Sequence, residues 1–343
     1  MKKLFALMLV SILALSLFAG CSSDNEEPTP GTDPVENNET VKVGLGSVST
    51  LAKSRDAEGE TTAQAQVDTT IAAASFDSEG RVLTVAIDVA QARVAYDDEM
   101  QITTDTSAEV KSKLQLGDAY NMKPRSEIGK EWYEQMAELE AWMIGKTVAE
   151  IKAMDLEDNR PADADLTSSV TITVDTYIAA LEKAYANAVE VENVDKVGLG
   201  VTISIAKSRS ASEENTAQAQ VDSTFSATAV DADGKVVATF IDVAQVRVAF
   251  DEDGAVTNDR AAELKTKYEL GDAYNMKPRS EIGKEWDEQM AELEAWMIGK
   301  TISEIKGMDL EDNRPADADL TSSVTITVDT YILAVDRAVA NGK

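Results

Sequence analysis

Histidine is absent from the 343 residues, and cysteine occurs once, at position 21. The first absence excludes imidazole acid–base catalysis, a Ser-His-Asp triad, and His-ligated zinc or haem. The second excludes an internal disulfide, a CxxCH haem attachment and an iron–sulfur cluster. Any redox role therefore requires a cofactor held without His or Cys. Basic side chains are also scarce: 32 Lys and Arg stand against 62 Asp and Glu, a formal charge of −30. Binding to a phosphate backbone needs clustered cations, so nucleic acid is a poor partner, as is an anionic lipid surface. The acidity reads either as an ordinary soluble extracellular surface or as a field for cationic or metal-ion partners.

What is present is repetition. Asp163–Ile178 recurs letter for letter as Asp317–Ile332, and the offset of 154 holds without a gap from Lys42/Lys196 to Val189/Lys343. Between Leu116 and Ile178 only Tyr133/Asp287, Val148/Ile302, Ala149/Ser303 and Ala153/Gly307 differ, whereas substitutions are frequent between Ser47 and Gln115. Constraint on the C-terminal half of each repeat, or gene conversion, produces this unevenness. Each unit of about 148 residues is long enough to be one domain. The predicted division is a signal segment at 1–20, a tether at 21–40, and repeats at 41–189 and 190–343.

Lys2 and Lys3 precede an apolar run from Leu4 to Phe18, followed by Ala19-Gly20-Cys21. That order is that of a secretory signal, and about 15 apolar residues fall short of the ~20 that span a bilayer as a helix. The segment resembles a bacterial lipobox, with Phe18 where that pattern prefers Leu, which implies lipidation of Cys21 and an extracellular, membrane-anchored protein. The other reading is an ordinary signal peptide before a free thiol. Residues 22–40 combine Pro28, Pro30 and Pro34 with six carboxylates and no apolar periodicity, which predicts a disordered tether.

Within each repeat, Val43–Gly46 reads as a strand with glycine turns. The stretches Ala63–Ala74 and Val82–Val89 read as strands joined across Asp77–Gly80, with Asp231–Gly234 as the matching turn. The span Gly129–Gly145 reads as a helix burying Trp132, Met136, Leu139 and Met143, whose spacing marks core. Thr147–Glu150 and Thr301–Glu304 are capping boxes. The alternation of Val170, Ile172 and Val174 with hydroxyls reads as a half-buried strand. Asp175 or Thr176 then caps a helix burying Ile178, Leu181 and Tyr185. Strands followed by helices make the class α+β, with antiparallel strands in two tandem copies of a small domain.

The segment Asp165-Leu-Thr-Ser168-Ser169-Val-Thr171, repeated as Asp319 to Thr325 with Ser322 and Ser323, resembles the flavinylation motif of FMN-binding domains in bacterial membrane-linked electron carriers. In that family a transferase esterifies the phosphate of FMN onto the threonine of Asp-x-x-(Ser/Thr)-Gly-Ala-Thr. Ser169-Val170 and Ser323-Val324 stand where the family has Gly-Ala. The stretch Leu116–Trp132 is similar to a loop-helix signature of FMN-binding lipoproteins of Gram-positive bacteria, which act in flavin-based extracellular electron transfer. The resemblance covers both repeats. It implies two FMN-binding domains with covalent FMN on Thr171 and Thr325, and recognition by the transferase at Asp165 and Asp319. It further implies phosphate contacts from Ser168, Ser169, Ser322 and Ser323, and ring contacts from Tyr120, Asn121 and Met122 with Tyr274, Asn275 and Met276. The implied role is a non-enzymatic carrier, held by lipid on Cys21, that takes electrons from a membrane quinol-oxidising system to acceptors such as ferric iron or free flavin. The competing readings are a surface lipoprotein whose repeats bind a wall component or protein, and a binder of solutes or metal ions.

Overall fold

A computed structural model describes residues 40–343, so the signal segment, Cys21 and nearly all of the tether lie outside the described residues. The fold is α+β, with antiparallel sheets and eight α-helices among the described residues. The first repeat runs β1 (Val41–Thr50), β2 (Gln64–Phe76), β3 (Val82–Ala95), α1 (Lys113–Leu116), α2 (Trp132–Met143), α3 (Val148–Lys152), β4 (Leu156–Glu157), β5 (Arg160–Pro161) and α4 (Asp175–Ala186). A short β6 (Val189–Val191) follows. The second repeat gives β7 (Lys196–Ser204), β8 (Gln218–Val230), β9 (Val236–Ala249), α5 (Lys267–Leu270), α6 (Trp286–Met297), α7 (Ile302–Lys306), β10 (Leu310–Glu311), β11 (Arg314–Pro315) and α8 (Asp329–Ala340). The strand orders are β3-β2-β1-β6 and β7-β8-β9. The boundary expected between residues 189 and 190 falls inside β6, which pairs Val189 and Val191 with Val43 and Val41 of β1.

Alternation along the strands divides the core. One face of β2 and β3 puts Ala72, Ala74, Phe76, Val85 and Ile87 under α2 and α4, with Trp132, Met136, Leu139 and Met143 as expected from their spacing. The opposite face sends Val67 and Val94 against Val221 and Val248, and Ile71 against Phe225, so the two sheets share apolar cores built from both repeats. Buried on both faces, β2 is almost entirely inaccessible. The described residues form one compact unit.

Several local expectations change. The glycines of β1 are not turns: a Cβ at Gly44 or Gly46 would overlap the carbonyls of Ala184 or Ala180, so they let α4 lie directly on the strand, and Gly198 and Gly200 do the same beneath α8. Helix α2 begins at Trp132 rather than Gly129, whose φ of 63° ends the preceding turn. Neither Asp175 nor Thr176 caps α4. Val174 holds that position without a side-chain bond. Tyr185 is 39 % exposed, its ring lying edge-on 4.9 Å from Phe76. The capping boxes at Thr147 and Thr301 are present.

Candidate functional site

The stretch 166–174 is not a strand. The Asp163 carbonyl accepts the N–H groups of Leu166 and Thr167 at 3.0 Å, and the Leu166 carbonyl accepts those of Ser169 at 2.9 Å and Val170 at 2.8 Å. These turns bury Leu166 and Val170 and end there; beyond them Val174 is buried and Ile172 half-buried. Helical turns therefore set Thr167, Ser168 and Ser169, whereas Thr171 lies past their last bond and is placed by a side chain of α2. The Asp158-Asn159 pair between β4 and β5, with φ of 50° and 62°, makes a tight hairpin whose Asn159 carbonyl accepts the Val174 N–H at 2.8 Å. That bond fixes the end of the segment where α4 starts.

Thr171 and Thr325 are held identically. The buried side chain of Gln135 on α2 accepts the Thr171 N–H at 2.8 Å and its hydroxyl at 3.3 Å. Gln289 on α6 accepts from Thr325 at 2.9 and 3.3 Å. Each glutamine is itself oriented, donating to Ser126 Oγ at 3.1 Å or Ser280 Oγ at 3.2 Å. About one turn earlier, buried Glu131 accepts the N–H groups of Met122 at 2.8 Å and Lys123 at 3.0 Å, and Glu285 does the same for Met276 and Lys277, both at 2.8 Å. The same helix thus anchors both the threonine and the Tyr-Asn-Met loop. Neither the glutamines nor the glutamates stand out in the sequence. Their one signal is a four-residue spacing within the nearly invariant half of the repeat.

A cleft of about 680 Å³, formed mostly by the second repeat with Glu109 and Val110 of the first at its border, is lined by Thr325, Ile326 and Thr327 together with Tyr274, Met276, Trp286 and Gln289. Its cations are Lys207, Lys267, Arg279, Arg314 and Arg337. Lys267 lies 5.0 Å from the centre of the Tyr274 ring and 5.2 Å from that of Trp286, and burial pushes its ammonium down to about 8 against the opposing pull of Asp222. Lys113 sits over Tyr120 and Trp132 at 5.1 and 5.4 Å and is likewise lowered to about 8 by burial. The Trp286 indole donates to the Tyr331 hydroxyl at 2.9 Å, fixing the cleft's aromatic floor to α8.

Not all the expected residues converge. Asn275 takes a left-handed conformation with φ of 59° and closes the Gly271–Tyr274 turn; it does not line the cleft. Asp319, Ser322 and Ser323 lie outside the cleft lining, as the exposure of Asp165 and Ser168 in the first repeat parallels. The Ser169 and Ser323 hydroxyls each donate to the carbonyl three residues before, at 3.3 Å. Asp329 at the start of α8 is among the residues that line the cleft. No group of three or more Asp, Glu, Cys or His side chains suited to a metal ion occurs among the described residues, and no helix there is long and apolar enough to cross a membrane. Comparison with protein-family models, curated proteins and solved structures gives no match for this chain.

Proposed function

We propose that the chain is a lipid-anchored extracellular electron carrier with FMN esterified through its phosphate to Thr171 and Thr325. The observation that carries this reading is that Thr325 and the loop residues Tyr274 and Met276, about fifty residues earlier in sequence, line one cleft. The cleft volume of about 680 Å³ falls within the ordinary range for a bound cofactor, and its lining offers aromatic faces, hydroxyls and cations to a flat ring bearing a phosphate. FMN would supply reversible electron transfer, which this chain's own side chains do not provide.

The protein's part is positional. Gln289 accepts both the N–H and the hydroxyl of Thr325, which turns the oxygen's lone pairs away from the helix. On esterification the hydroxyl proton leaves and the weaker 3.3 Å bond is lost, while the backbone bond keeps the attachment point in place. Threonine is a weak nucleophile and its hydroxyl here donates to an amide oxygen, so a transferase would make the ester: the threonine oxygen attacks the FMN phosphorus of an activated flavin dinucleotide, the pyrophosphate bond breaks and the other nucleotide leaves, with this chain as substrate rather than catalyst. Covalent attachment keeps the cofactor from being diluted outside the cell. Lys267 would place positive charge beside the ring and favour its electron-rich form. The donor in this reading is a membrane quinol-oxidising system, the acceptor ferric iron or free flavin, and the anchor the lipid on Cys21. Protein purified from its own cells should be yellow and keep its flavin absorbance in the precipitate after acid denaturation; flavin released to the supernatant would refute the covalent link.

A further inference from the structure

The two repeats are unequal at one half-buried carboxylate. Helices α2 and α6 carry Glu140 and Glu294 at the same position, and each accepts a strand N–H, from Ile87 at 2.7 Å or Ile241 at 2.6 Å. At Glu140 the last residue of the chain completes the arrangement. Lys343 is held by backbone bonds to Val197 on β7, its Nζ lies 2.6 Å from the Glu140 carboxylate, and it donates to the Val85 carbonyl at 3.3 Å. The residue equivalent to Lys343 is Val189, which pairs with Val43 as Lys343 does with Val197. A valine offers neither charge nor reach, and Glu294 has no cationic partner among the described residues.

The space is there. A cavity of about 520 Å³ is bordered by Leu45 and Val189 from the first repeat and by Phe225, Phe240, Tyr268 and Glu294 from the second. A shallower recess shares Val189, Phe240 and Glu294 and adds Thr239, which holds the place of Val85. The charged groups around Glu294 in the cavity are Asp242, Glu269 and Lys183, with the Lys183 ammonium committed to Glu269 at 2.6 Å; the recess adds Glu190, Glu192, Asp231 and Lys235, and none of the described cations forms an ion pair with Glu294. Burial, with a smaller contribution from Asp242, pushes Glu294 up to about 8, as expected of a carboxyl without a counter-ion.

We propose that this cavity binds a small aliphatic primary ammonium, with its head on Glu294 and its stem along Phe225 and Phe240. The choice of a primary ammonium follows from the occupant of the equivalent place, a lysine tip that satisfies one carboxylate and one strand carbonyl. The side chains of Leu45, Val189, Phe225 and Phe240, within a lining that is otherwise mixed, favour a methylene stem over a hydrated inorganic cation. The proposal does not depend on the flavin reading, since Thr325 lies in a separate cleft.

The test is titration of n-butylammonium chloride into the whole chain, followed by the amide NMR signal of Ile241, with n-butanol and tetramethylammonium chloride as controls. The expected result is a saturable shift with n-butylammonium alone, and affinity reduced by roughly tenfold or more in Glu294→Gln, which keeps an acceptor for Ile241. Val189→Lys should supply the ammonium from within, raise Tm and abolish the shift. An absent shift in the native chain, an equal shift with n-butanol, or a shift unchanged in Glu294→Gln would overturn the proposal.

Discussion

At the scale of single residues, buried polar side chains decide how the threonines are presented. Gln289→Met keeps the volume but removes the acceptor for the Thr325 N–H and hydroxyl. A buried amide left without a partner costs about 1–3 kcal/mol, so chemical denaturation should show a loss of that order. If Gln289 presents the attachment point, flavin on Thr325 should also fall while Thr171 stays modified; peptide mass mapping separates the two. Glu294 yields a prediction in pH. Its folded-state value of about 8 lies above the ordinary 4.5, so between these values the folded protein binds more protons than the unfolded chain, and stability falls as pH rises through this window. Asp242, raised to about 6, adds to the fall in the lower part. Lys113 and Lys267, lowered to about 8, act in the opposite sense only above that value, where stability recovers as their burial cost is relieved. Denaturation midpoints at pH 5 and pH 8 should therefore converge in Glu294→Gln, and an unchanged difference would remove Glu294 as its source.

At the scale of elements, α4 and α8 lie directly against the glycines of β1 and β7. Gly46→Ala would drive a methyl group into the Ala180 carbonyl of α4, and Gly200→Ala into that of Ala334 on α8. Backbone on both sides cannot yield as a side chain can, so each should cost about 1–3 kcal/mol, read as a lowered Tm. Sequence patterns make much of this architecture legible. Period-two stretches mark β2 and β3, the Trp132-to-Met143 spacing marks α2, and Thr147 and Thr301 mark their helices, because each signal is local. The glycines of β1 read as turns because the reason for them is a helix more than a hundred residues away. The stretch 166–174 reads as a strand because Val170, Ile172 and Val174 alternate with hydroxyls, but bonds to the Asp163 and Leu166 carbonyls coil its first half and the Val174 N–H is taken by Asn159. Of the candidate site, the threonines and the Tyr-Met loop are legible as a repeated motif. Gln135, Glu131 and Lys113 are not, since their partners lie on other elements.

At the scale of the whole molecule, each repeat has its own helix-covered core, while the inner faces of the sheets are shared. The threonine segments lie on the separate, helix-covered side. Thr171→Val should therefore remove one flavin and leave Thr325 modified, with little change in Tm; loss of both would show that the repeats are modified interdependently. Two identical segments each carrying a covalent cofactor would show in the intact mass of the protein isolated from its own cells. Two increments of FMN minus water are expected above the processed polypeptide and its lipid, located by peptide fragmentation to Thr171 and Thr325. Native protein with no such increment, from cells that possess the transferase, would contradict covalent attachment and leave a repeat-containing surface lipoprotein without a redox role.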